Sequence, residues 1–303
     1  MSDGASKGAL YCTEAGIGAG GASGDTVAVL AAVRHLAVYA ACYVAAQAVA
    51  ACLLTGVAVS WRIVAVATLT AIGTYLVDRS GPWPGLPDRG DLRAEPERVR
   101  FLRRYTVLVR CIAIGAPLIA FGLALPWGPW VAVAPLSVIG LLCYSKWAMP
   151  GRRIKDRLLL KNAAVAVSIA ALAVALSRAG GGAAWLAMVL VGPMLVLRVM
   201  ADAMRCDIDD VDADRREGTR TVANVFGVSV AWRVALVLDV CAAGAALALV
   251  PTVGWGVSLA VGSVPLIGGI ALTVIQPKPS RDCVDALGAI GVLVAWGLIS
   301  VGL

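Results

Sequence analysis

Charge is scarce in this chain. Asp, Glu, Lys and Arg make up 15% of its 303 residues, 60% are hydrophobic, and the mean hydropathy is +0.84. Ordinary soluble domains carry about a quarter charged residues, so a water-soluble class is excluded and a membrane class follows. The net charge is +7, but most of the basic residues flank apolar runs, which argues against a nucleic-acid partner. Eight cysteines are scattered at 12, 42, 52, 111, 143, 206, 241 and 283 without a C-x-x-C spacing. They read as small apolar side chains in helices rather than a zinc site or disulfide frame. The single histidine, His35, lies beside Arg34 early in the first apolar stretch and reads as an interfacial or packing residue.

Long apolar runs are present in number. A helix needs about 20 apolar residues to cross a bilayer. Runs at 30–55, 61–77, 105–123, 129–147, 158–177, 184–204, 228–250, 253–275 and 283–302 give an expectation of about nine spans. They form a single all-α transmembrane domain over 26–303. Residues 1–25, rich in Gly, Ala and Ser, are expected to be a disordered tail. They lack the basic start and single apolar core of a signal peptide, and no strand precedes their G-x-G pattern to make it a phosphate loop.

The basic residues are distributed unevenly. The segments 78–104, 146–161, 205–220 and 276–282 hold 19 of the 26 lysines and arginines. These are the connections after the second, fourth, sixth and eighth spans, so all lie on one side. The positive-inside bias puts them in the cytoplasm, together with the N-terminus, in an inner (plasma) membrane. Several tryptophans (61, 127, 130, 147, 185, 255) fall near span ends, where an interfacial belt would sit.

Against this background the stretch DIDDVDADRREGTRTVANVFG, from Asp207, packs five aspartates into eight residues. At about 100° per residue, Asp207, Asp210 and Asp214 share one helix face, while Asp209 and Asp212 point elsewhere. Three carboxylates on one face repel one another and call for a cation. Clustered carboxylate oxygens suit Mg²⁺, which completes its shell with water and phosphate oxygens. Interleaved arginines at 205, 215, 216 and 220 add the second component of a diphosphate site. A second acidic site ends the second span: Thr74, Tyr75 and Asp78 lie within one turn, Arg79 follows, and Asp88 and Asp91 come after a Pro- and Gly-rich turn.

These residues resemble the UbiA superfamily of intramembrane prenyltransferases. The 207–227 stretch is similar to the family's second aspartate-rich motif, with Asp210 and Asp214 at its centre, Asp207 before them, and Gly218, Arg220, Thr221 and Gly227 after. The stretch YSKWAMPGRRIKDRLLLKN is similar to a second family segment, here Tyr144, Ser145, the basic residues Arg152, Arg153 and Lys155, and Asn162. The first family motif is altered. Thr74 stands where Asn is usual, Asp78 matches, and Pro82 replaces the later Asp, for which Asp88 or Asp91 could substitute. The resemblance implies a helical bundle around a central cavity, an isoprenyl diphosphate substrate taken from the bilayer, and Mg²⁺ as cofactor. It implies metal ligation by Asp78, Asp207, Asp210 and Asp214 (with Asp88 or Asp91), and diphosphate contacts from Arg79, Tyr144, Arg152, Arg153, Lys155, Asn162 and Arg220. Asp78, Asp210 and Asp214 would be catalytic. The products split two ways, since the family includes transferases that use a lipophilic or aromatic acceptor and terpene cyclases that close the prenyl chain on itself. A chain with 3 Phe and 6 Tyr offers few ring faces to guide a cation, which favours transfer. A transporter is the remaining alternative. Its charges would line a path through the bilayer, whereas these concentrate at one face. Asp239, Arg110 and Arg198 fall inside spans, where a charge needs a partner, and an Asp239–arginine pair is expected.

Overall fold

The structure is a computed structural model. It describes residues 32–80, 96–132, 135–137, 139–140, 156–181, 185–275 and 280–300. All regular secondary structure among the described residues is helical, with no strand among them. In chain order the helices are α1 (Val38–Leu54), α2 (Trp61–Ser80), α3 (Pro96–Arg104), α4 (Thr106–Ala124), α5 (Leu160–Ala179), α6 (Trp185–Asp209), α7 (Val211–Glu217), α8 (Val222–Val225), α9 (Val228–Leu247), α10 (Val250–Val253), α11 (Trp255–Ile275) and α12 (Arg281–Ser300). A 3₁₀ segment, Leu125–Ala132, follows α4 and is kinked at Gly128. Long helices thus stand at eight of the nine expected spans. The fourth, 129–147, is described only in part, and six helices meet the length and apolarity of a membrane span among the described residues. The expected tail, 1–25, lies outside the described residues.

Helix α1 starts later than the apolar run that encodes it. Ala37 adopts a left-handed backbone, φ 58°, which separates the turn carrying His35 from Val38. The 17-residue α1 is alanine-rich and almost wholly buried. Small side chains let other helices approach closely, and α1 packs against α2, α5 and α12. The remaining helices enclose it in a chain of neighbours: α5 against α6, α6 against α9, α9 against α11, and α11 against α12, with α4 outside α2. At the α2–α4 crossing a Cβ on Gly73 would overlap the Pro117 ring, so only glycine allows that approach. Large apolar side chains such as Val107, Leu118, Val237, Ile267 and Val274 remain exposed on the outer surface, as lipid contact requires.

Helix α6 is the longest, at 25 residues, yet it is the helix with charges along one inward face. Arg198, Asp202 and Arg205 recur at spacings of four and three, and all three are buried. Arg198 bonds Asp239 of α9 at 2.7 Å and Asp202 at 3.1 Å. Arg205 bonds Asp202 at 2.9 Å and also pairs with Asp239. Tyr43 of α1 donates to Asp202 at 2.8 Å, and Arg198 donates to the Pro265 carbonyl of α11 at 3.1 Å. Two guanidinium groups therefore face two carboxylates, and pairing of this kind is how charge is tolerated in a low-dielectric interior. The expected Asp239–arginine pair is present, with two arginines. Arg110, by contrast, is exposed. A cavity of about 10 Å³, room for one water, adjoins Arg198 and Asp239. His35 is buried with its ring 5.1 Å from that of Phe101, a packing position.

Candidate active site

The second aspartate motif forms where α6 ends. Asp210 stands between α6 and α7, at the N-cap position of α7 but with no side-chain capping bond, and the Asp214 amide bonds its carbonyl at 2.8 Å, so the helical phase carries through the junction. Helix α7 stops at Gly218, whose φ of 75° suits a residue without a side chain. Thr221 then opens α8 with a capping box, its hydroxyl and amide exchanging hydrogen bonds with Asn224 at 3.3 and 3.0 Å. The glycines and threonines of the motif are thus the hardware of a tight return.

Asp207 and Asp214 are buried, Asp210 is half-buried, and Asp209 and Asp212 are exposed, as the helical phase requires. The cation that answers the buried pair is Lys161, in the first turn of α5. Its Nζ lies 2.8 Å from Asp207 Oδ1 and 3.1 and 3.0 Å from the two oxygens of Asp214. Asn162 donates to the other oxygen of Asp207 at 2.9 Å. Arg281, at the start of α12, pairs with Asp210. Burial pushes the Asp214 carboxyl up to about 6; Lys161 opposes the rise, and the Asp207 and Asp210 carboxylates add to it.

A latch holds the entry to α5 against this motif. Asp156 is buried, accepts from the Thr219 hydroxyl at 3.0 Å, and offers its carbonyl to the Arg220 amide at 3.1 Å. The chain then turns through Leu159, φ 64°, into α5. Lys155, Arg153 and Arg152 immediately precede Asp156 in sequence.

Among the candidate residues, the structure brings Asp207, Asp214 and Asn162 together around Lys161, and Asp210 to Arg281. Asp78 is half-buried near the end of α2. Tyr75, one turn before it, is half-buried as well. Thr74, in the place of the family asparagine, donates its hydroxyl to the Thr70 carbonyl of its own helix at 2.7 Å. The Arg220 side chain is exposed. The side chain of Arg79 lies outside the described residues, as do Asp88, Asp91, Tyr144, Arg152, Arg153 and Lys155. Lys161, Arg281 and Asp156 were not distinguished in sequence from ordinary loop charges. The one available signal was position, since Lys161 directly precedes Asn162.

Among the described residues, no three Asp, Glu, His or Cys side chains converge as a ready-made metal centre. The donor set is nonetheless one of hard oxygens, as Mg²⁺ prefers. Three carboxylates against two cations leave one net negative charge, so the residues fit a divalent cation.

The sequence model of the UbiA prenyltransferase family matches residues 100–297. No curated protein matches the sequence. Among solved structures, a UbiA homolog from Archaeoglobus fulgidus bound to GPP and Mg²⁺ superposes with a TM-score of 0.64 at 13% identity, covering 89% of this chain and 99% of its own. The apo structure of a UbiA homolog from Aeropyrum pernix K1 gives 0.63 at 14% identity, covering 87% and 98%. A structure of digeranylgeranylglyceryl phosphate synthase gives 0.55 at 11% identity, covering 90% and 96%. At these identities the likeness is one of fold.

Proposed function

The chain belongs to the UbiA prenyltransferase family, and from that membership we propose that it is an Mg²⁺-dependent intramembrane enzyme that ionises an allylic isoprenyl diphosphate and transfers the prenyl group to a lipophilic or aromatic acceptor. One observation supports this reading above the others. Three in-phase carboxylates, Asp207, Asp210 and Asp214, lie at the end of an intramembrane helix and are gathered with an ammonium and a guanidinium. The solved Archaeoglobus fulgidus relatives hold DMAPP or GPP with Mg²⁺, the ligand pair such a cluster suits.

In this reading Asp207, Asp210 and Asp214, with Asp78 and either Asp88 or Asp91 from the first motif, hold the metal. Bound there, Mg²⁺ supplies positive charge to the diphosphate oxygens as they leave. Asn162 fixes the orientation of Asp207 through its amide. Arg79, Tyr144, Arg152, Arg153, Lys155 and Arg220 donate to diphosphate oxygens, the basic ones through charge-assisted bonds. The Asp156–Thr219 bond ties the residue that directly follows Lys155 in sequence to the motif. Apolar helices and lipid exclude water from the allylic cation. The positive-inside distribution supports a cytoplasmic setting for this face.

Cyclisation of the same diphosphate is the second reading, favoured by the altered first motif at Thr74 and Pro82. Transport is disfavoured by the buried Arg198, Asp202, Arg205 and Asp239, which satisfy one another instead of lining a path. Purified protein given C10, C15 and C20 allylic diphosphates with Mg²⁺ should release pyrophosphate from at least one. Mass spectrometry of the organic product then separates a prenylated acceptor from a cyclised hydrocarbon or alcohol. Release from none of them removes the enzymatic reading.

A further inference from the structure

We propose that Lys161 is a resident cation of this site, seated between Asp207 and Asp214 while divalent metal is absent and expelled when metal binds. The proposal rests on the reading above in one respect, that these aspartates take up Mg²⁺.

The geometry assigns Lys161 that position. Its ammonium contacts three of the four carboxylate oxygens of Asp207 and Asp214 at 2.8–3.1 Å, and Asn162 takes the fourth. All three side chains are withdrawn from solvent, with 18% of Lys161, 4% of Asp207 and 11% of Asp214 exposed. Two carboxylates this close and this dry repel strongly unless a cation stands between them, and the lysine is the cation the fold provides. Mg²⁺ draws its oxygen ligands to about 2.0–2.1 Å. The ammonium holds the same oxygens nearly an ångström farther out, so metal and lysine exclude each other.

The choice of side chain suits exchange. A lysine ammonium is a compact charge on a flexible four-carbon stem with three rotatable donors, whereas arginine forms a planar, bidentate clamp. Lys161 stands in the first turn of α5, at the membrane boundary, where its stem can swing out to water. Arg281 on Asp210 is more open, at 36% and 32% exposed, and leaves that carboxylate accessible from solvent. Metal entry therefore frees one ammonium beside the place an anion would arrive, which couples metal loading to diphosphate capture. With Lys161 seated there, the fold carries no bare carboxylates in this part of its interior.

The test measures Mg²⁺ affinity without any prenyl diphosphate, by calorimetry on purified wild type and Lys161→Gln in detergent. Removing one positive charge at contact distance should tighten Mg²⁺ binding about tenfold or more, and should lower the melting temperature of the metal-free protein. In the wild type, acylation of Lys161 followed by mass spectrometry should accelerate several-fold on Mg²⁺ addition, with its midpoint at the Mg²⁺ dissociation constant. Unchanged or weaker Mg²⁺ affinity in Lys161→Gln overturns the proposal, as does Lys161 labelling indifferent to Mg²⁺. If that variant does not fold, the wild-type labelling decides alone. Mg²⁺ binding without pyrophosphate release would overturn the prenyl diphosphate reading while leaving this exchange to be judged by the labelling.

Discussion

Arg205 and Asp239 meet inside the membrane-spanning bundle, 34 residues apart in sequence and with neither side chain exposed. Asp239 is shared with Arg198, so its removal leaves two guanidinium groups facing one carboxylate, Asp202. Breaking a buried pair by deleting one partner typically costs about 3–5 kcal/mol, while replacing both by apolar groups is often nearly neutral. Asp239→Asn is therefore expected to lower the melting temperature in detergent strongly. The double variant Arg205→Met/Asp239→Leu should recover most of the loss, because Arg198 and Asp202 still balance. Thermal denaturation of the three proteins checks the order.

The same pair sets a steric requirement on α11. A Cβ at Gly269 would overlap the Asp239 carboxylate and the Arg205 guanidinium, whereas a Cβ at Gly268 meets nothing within 4 Å. Gly269→Ala should destabilise by about 1–3 kcal/mol, the range for overpacking a well-filled site. Gly268→Ala should be neutral or stabilising, since alanine is the better helix former. Paired melting curves read the contrast directly.

The Thr219 hydroxyl bonds a buried carboxylate, that of Asp156. Thr219→Val keeps the shape and removes the donor, at a cost of about 1–3 kcal/mol for a buried carboxylate that loses a hydrogen bond. Asp156 directly follows Arg152, Arg153 and Lys155 in sequence, and the proposed function gives those three to the diphosphate, so the variant should raise KM for the prenyl diphosphate more than it lowers kcat, the signature of lost ground-state binding. Steady-state kinetics at saturating acceptor separate the two constants. An unchanged KM would detach the basic segment from substrate binding.

Eight long helices were legible because apolar length and charge placement are local properties of the sequence. The start of α1 was not, since the left-handed turn at Ala37 carries no Gly or Pro to mark it. The shared phase of Asp207, Asp210 and Asp214 was legible from helical spacing alone. Their counter-ions were not: Lys161 lies 53 residues from Asp214, and Arg281 71 residues from Asp210. Such pairings are fixed by which helices pack together. Asp239 announced itself, because a charge inside a span requires a partner. That it would take two arginines follows only from the packing of α9 against α6, and that Tyr43 would join the set across 159 residues follows only from the central position of α1.

The central claim is that the α6–α7 carboxylates do chemistry on a prenyl diphosphate. The most direct measurement is Mg²⁺-dependent pyrophosphate release by wild type and by Asp210→Asn/Asp214→Asn, with circular dichroism and melting curves showing both proteins folded. The account predicts release by the wild type and a loss of about a thousandfold or more in the variant, the scale of removing preorganised charge from a reaction that depends on it. A folded variant that releases pyrophosphate at the wild-type rate would contradict it.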